Sequence, residues 1–422
     1  MKKWLLRIGL GFFGFLALLY AFVFLRSIMP ATVMDKDLQL QRASLPAGSN
    51  AFDTLEGARR HLSWPDNQNG RLSELARNTN WDDSLANTVL ANNREALAGW
   101  DAAAKMPDLQ VPEISNANDL LPYLADCKKL LQLAEVQENV LLRAGKDQEG
   151  FNQIVNHIQI GRKMQNSGGS LITYLVGTAV NNIGLMQMRN WTGKTHFTPP
   201  ELKSYIRQLE LDPADEGAAF ANSMRAEYQS SIGTMEALRS GNLMDPDTGN
   251  KYPFPKTRLL PVFNFNQTKA LFARGFLPLV KAAPHHFNEA RLPDMNTRPG
   301  PVSLILSGNL TGQILYNMLM PALTPALAKK SQSDAELQAT RTILALRAYQ
   351  LTHGKLPADL NALVPEFLDS VPVDDFDGQP LRYLPEQKTV YSVGENLKDD
   401  GGDDSRNGRS NRQLDLVYKF DF

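Results

Sequence analysis

The sequence predicts a mainly α-helical protein with an N-terminal transmembrane helix, a helical-bundle or helical-hairpin body, and a small α+β module at its C-terminus. Three observations carry this. Ile8 to Leu25 contains no charged residue. From about 51 to 240, apolar residues recur with the 3.6-residue period of amphipathic helices. The last 68 residues change to short strand candidates broken by Gly, Pro and Asp. The chain accordingly divides into a transmembrane signal anchor (1–27), a stalk (28–50), a mainly helical exported domain (51–332) and a C-terminal module (333–422).

The anchor comes first. Eighteen apolar residues rising about 1.5 Å each reach roughly 27 Å, close to the hydrocarbon thickness of a bilayer. Lys2, Lys3 and Arg7 precede the run, so the N-terminus is expected in the cytoplasm. The run is longer than a signal-peptide core, and Phe24-Leu25-Arg26-Ser27 lacks a small-residue cleavage motif, which predicts an uncleaved tether. The bulk of the chain is then expected in the periplasm, held to a bacterial inner membrane by one span. Gly300 to Ala328 also lacks charge, but its Ser, Asn and Gln residues with Pro321 and Pro325 read as core packing interrupted by prolines.

Within the body, Asp119 is the expected cap of a helix ending at Gly145, with Leu120, Leu124, Leu131 and Leu141 among its apolar positions. Phe151, Ile154, Val155 and Ile158 mark the next helix. Gly177 and Gly184 lie on a third and allow close approach of a neighbour. Thr198-Pro199-Pro200-Glu201 is a capping box with proline at the first helical position. Asp212-Pro213 opens a helix whose core stripe is Phe220, Met224, Tyr228, Ile232 and Met235. Residues 241–300 carry eight prolines and read as irregular. Ser333-Asp334-Ala335-Glu336 is a second capping box, opening a helix that Gly354 ends. Leu381–Tyr383, Thr389–Val393 and Leu414–Phe420 are the strand candidates.

Composition excludes several functions. Forty-four basic residues balance 45 acidic ones, leaving a net charge of -1 and no electrostatic footprint for nucleic acid. Cys127 is the only cysteine, so neither an internal disulfide nor a thiolate metal cluster is available. No H-E-x-x-H, G-x-S-x-G or S-x-x-K motif is present. Gly193-Lys194-Thr195 follows Met188 where a phosphate loop needs glycine, and reads as a turn between helices. Glu227 with Arg225 is a possible cleft pair, though a solvated helix face is the plainer reading. No catalytic residues emerge.

The C-terminal text runs from Leu344-Ala345-Leu346-Arg347-Ala348-Tyr349 through His353-Gly354-Lys355-Leu356-Pro357. Val371-Pro372-Val373-Asp374, Asp377-Gly378-Gln379-Pro380-Leu381-Arg382-Tyr383 and Tyr391-Ser392-Val393-Gly394 follow, then an acidic glycine-rich loop and Asp415-Leu416. In order and spacing this resembles the C-terminal part of the major pseudopilin of type II secretion, over less than a quarter of the chain. The resemblance implies that the loop binds one calcium ion, with Asn396, Asp399, Asp400, Asp403 and Asp404 as the ligand candidates. Asn396 stands where that family has an aspartate, and residues 405–413 form a longer, arginine-bearing insertion. No glutamate lies in residues 1–25, so a pilin-type leader is missing. The expected function is that of a membrane-anchored envelope protein, accessory to a secretion or pilus-like system through protein partners. The alternative is a membrane-tethered periplasmic hydrolase.

Overall fold

The computed structural model describes the chain except residues 1, 41, 43, 65–68, 120, 211–212, 246–247, 252–262, 293–299 and 407–412; side chains of 2–13, 69 and 213–216 are also outside the description. The expected cap Asp212 and the apolar position Leu120 therefore lie outside the described residues.

The body is helical. α1 (Lys2–Ile28) is followed by α2 (Ala51–Arg59), α3 (Asn69–Ala76), α4 (Asp83–Asn92) and α5 (Arg94–Lys105). Then come α6 (Tyr123–Arg143), α7 (Asp147–Gln165), α8 (Leu171–Thr192) and α9 (Pro199–Gln208). α10 (Pro213–Ser240), α11 (Phe265–Ala282), α12 (Pro301–Leu306) and α13 (Leu310–His353) complete the set. Three short strands, β1 (Arg382–Leu384), β2 (Thr389–Ser392) and β3 (Leu416–Lys419), pair antiparallel in chain order. Arg382 faces Tyr391, and Tyr391 faces Val417.

The α7–α8 hairpin is the centre of the molecule. A Cβ on Gly177 would lie 2.7 Å from the Gln165 amide nitrogen and 2.8 Å from the Gly161 carbonyl oxygen, and one on Gly184 would lie 2.6 Å from Ile158 Cγ1. The helices are in backbone contact because these glycines have no side chain. α8 then contributes to three cores. One joins Trp100, Leu130 and Ile160 to Val180. Another joins Tyr174 to Phe220, Phe276 and Leu323. The third joins Leu185 and Met188 to Ile343, Leu346, Val390 and Tyr418.

Several local signals act as read. Gly145 and Gly354 adopt left-handed φ values of 72° and 74° at helix ends. Thr198 and Glu201 close their capping box. Others differ. α6 starts at Tyr123, and Asp119 instead caps the preceding turn, accepting from the Ser115 and Asn116 amides. α13 runs unbroken through Pro321 and Pro325, and through Ser333, which is buried inside it. Burial of Met320, Leu323 and Leu327 against Phe272 and Phe276 offsets the roughly 3 kcal/mol that an interior proline costs. The second capping box is thus not a helix start, and position 333 falls in mid-helix.

α1 covers the apolar run, and exposes Phe15, Leu18, Phe22 and Leu25. Among the described residues no helix is long and apolar enough to cross a membrane; the first part of the Ile8–Leu25 run lies outside the described side chains. The other end of α1 is held by the body. Asn264 donates to the Ser27 carbonyl (2.6 Å) and Gln267 to that of Arg26 (2.7 Å).

Candidate functional site

Three places concentrate polar chemistry. The first is the loop from 394 to 415. Its organiser is Asp415, fully buried, whose carboxylate accepts the Gly402 amide at 2.7 Å and the Asp400 amide at 3.3 Å. The five ligand candidates surround this frame but are turned to protein partners. Asn396 donates to Asp400 (2.7 Å), and Asp399 accepts from the Tyr391 hydroxyl (3.0 Å) and the Gly401 amide. Asp403 accepts the Ser405 amide, and Asp404 pairs with Lys419 at 3.0 Å. Calcium needs six to eight oxygens converging on one point. Among the described residues no group of three or more Asp, Glu, His or Cys is placed to hold a metal ion.

The second place is a buried cluster on α6 and α7. His157 Nδ1 lies 2.9 Å from Glu138 Oε1, with neither side chain exposed. Burial disfavours the imidazolium, yet the neighbouring Glu138 carboxylate outweighs it and raises the His157 pKa. Glu135, one turn away and also buried, is pushed up to about 7, chiefly by burial. Glu135 and Glu138 are three residues apart and share a helix face, and all three groups of the cluster are buried.

The third place is open. A cleft of about 740 Å³ lies between α8, α10, α11, α13 and the 114–121 segment. Its wall is mostly apolar, with Leu171, Leu175, Leu238, Phe272, Leu315 and Leu319. Glu227 lies in this wall, where its carboxylate accepts the Leu171 amide, the first of α8, at 3.1 Å. Burial raises the Glu227 pKa, and that single hydrogen bond offsets it only in part. Beside it the Ser170 hydroxyl is buried and has no protein partner. Asp119, on the rim, is shifted the other way: burial opposes, but hydrogen bonds from Ser115 and Asn116 hold it below the usual range.

Glu227 and Arg225 are therefore not a pair. Arg225 turns outward to the Asp37 carbonyl and Asn222, while Glu227 turns inward. Two residues apart on a helix, they point roughly 200° apart. Ser170 escapes sequence reasoning because a serine before a helix reads as a cap, and here it makes no side-chain cap bond.

No family model, curated protein or solved structure matches the chain.

Proposed function

We propose that this chain is a membrane-anchored protein of the bacterial envelope, tethered by α1 with its bulk outside the cytoplasm. Its helical body is a binding module whose cleft takes an apolar ligand. The observation that carries this is the cleft itself. Its volume lies in the range of small-molecule sites, and its apolar wall with a few polar groups at one end is what such sites need for affinity and orientation. Partners in a secretion or pilus-like assembly fit the resemblance of the C-terminal module.

The reading is tested with a diazirine-bearing fatty alcohol added to membranes containing the full chain. Photolabelling is expected on Leu175, Leu238 or Leu319. Leu319→Trp, which fills the cleft, should lower that labelling about tenfold. Labelling confined to α1, or unchanged by Leu319→Trp, overturns the reading.

Two carboxyl groups on one cleft with opposite pKa shifts, Glu227 and Asp119, favour a second reading, a tethered hydrolase with an acid and a base. Asp119→Asn would then abolish turnover of wall or secreted substrates; equal activity in wild type and variant removes it.

Calcium binding by Asn396, Asp399, Asp400, Asp403 and Asp404 would require their present partners to be exchanged. Ligand binding to the folded state raises the melting temperature. Millimolar calcium should therefore raise that of the full chain, and Asp403→Ala with Asp404→Ala should cancel the rise. No shift in wild type ends the proposal.

A further inference from the structure

The cleft has an unusual doorway. Ile172 and Met318 line it and are 51% and 73% exposed. One turn before Met318 on the same face of α13 stands Ile314, also exposed, and α12 adds exposed Val302 and Ile305. Large apolar side chains gathered in this way are costly in water, at about 25 cal/mol for each Å², and contiguous exposed apolar patches mark interaction surfaces.

The position of this patch indicates what covers it. α12 packs on both α1 and α13. At its end Gly308, with φ of 71°, abuts the backbone of Arg26 and Ser27; a Cβ there would lie 2.6 Å from the Ser27 nitrogen. Together with the Asn264 and Gln267 bonds to the last carbonyls of α1, this fixes the patch beside the point where the apolar helix leaves the body. A helix of that kind continuing into a bilayer brings the patch to the bilayer surface.

We infer that the occupant of the cleft is a lipid acyl chain that enters from the membrane over Ile172, Ile314 and Met318. The inference rests on the binding reading above and names its ligand. Inside, Leu175, Leu238, Phe272, Leu315 and Leu319 supply a wall with which only an apolar chain makes full contact. At the α8 end the chain meets one small polar station. The Ser170 hydroxyl has no partner, and the Glu227 carboxyl is joined to the Leu171 amide. A hydroxyl or carboxyl there is suited to hydrogen-bond an ester or alcohol oxygen. On α10, Thr234 is already used, donating to the Ser230 carbonyl and accepting the Ala117 amide.

The experiment uses the full chain reconstituted in vesicles of phosphatidylethanolamine and phosphatidylglycerol that carry a phospholipid with a diazirine on its acyl chain. Irradiation and peptide mapping are expected to place the label on Leu238 and Leu319 as well as on α1. Val302→Lys with Ile305→Lys, on α12 and outside the cleft lining, should cut the phospholipid label in the cleft about tenfold while leaving fatty-alcohol labelling of the detergent-solubilised full chain intact, because charges on the patch bar the bilayer route but leave the cleft wall unchanged. Cleft labelling by the alcohol without labelling by the phospholipid overturns the lipid assignment and leaves the binding reading standing. Loss of both labels in wild type overturns both. Phospholipid labelling undiminished by the two lysines overturns the route. Recovery of a cleft-linked protein peptide in place of lipid identifies a protein occupant and overturns the inference.

Discussion

Glu135, Glu138 and His157 put three ionisable groups in a dry core, and the signs of the Glu135 and His157 shifts dictate a pH dependence. The Glu135 pKa rises from 4.5 to about 7 on folding, so between those values the folded chain keeps a proton that the unfolded chain has lost. Stability is then fully present below pH 4.5 and falls as pH rises through about 7. His157, also raised, has the same sign: its contribution is complete below its unfolded value and is lost as pH rises past the folded one. For Glu135 the ceiling is roughly 3 kcal/mol. Glu135→Gln, which cannot ionise, should flatten the fall of melting temperature between pH 4.5 and 8 relative to wild type; identical slopes in the two proteins would assign the dependence elsewhere. Glu227 is the comparable residue in the cleft. Glu227→Ala strips the Leu171 amide of its acceptor and should cost about 1 kcal/mol, while Glu227→Gln keeps an acceptor and should cost less, as urea melts would show.

The α7–α8 hairpin and α13 show how helices take their places. Glycine at 161, 177 and 184 lets two helices touch, and the contact at Gly177 yields little, since the two atoms nearest an added Cβ there are the Gln165 nitrogen and the Gly161 oxygen of the main chain. Gly177→Ala should destabilise the protein by about 1–3 kcal/mol, more than an alanine in a helix usually contributes in its favour. Chemical denaturation of the variant checks this, and an unchanged midpoint would refute the close contact. Gly177 and Gly184 were legible from their place within an apolar helix, whereas Gly161 was not read from the sequence. The continuity of α13 was not, because Pro321 and Pro325 are local stop signals that only the apolar wall of α11 overrides.

At the level of the molecule, the C-terminal module is not an appendage. Phe420 and Phe422 share a core with Leu202, Ile343 and Phe151, and Arg189 lies over the Tyr418 ring while pairing with Glu336. Lys330, buried in α13, bridges Asp334 (2.6 Å) and Asp375 (3.1 Å), so a single cation ties the helix to the loop before β1. Lys330→Met leaves two carboxylates facing each other without it and should cost about 3–5 kcal/mol. With the core shared, the region from α2 to the C-terminus is expected to melt in one transition, and limited proteolysis should release no stable fragment beginning near 333. Two separated transitions would show that the module folds by itself.

The sequence by itself determined the helical class, the helix stops at Gly145 and Gly354, the capping box at Thr198, the glycine contact face and the three strands. These depend on neighbours within about four residues or on the alternation of one strand. Only the tertiary structure decided that Asp415 is buried and accepts the Gly402 and Asp400 amides of the acidic loop, that α13 outlasts its prolines, and that Glu227 lines a cleft while Arg225 turns to the Asp37 carbonyl and Asn222. Each of those outcomes is set by packing between segments far apart in the chain. There the apolar area buried and the hydrogen bonds completed outweigh local preference, and no local pattern encodes which distant partner will be present.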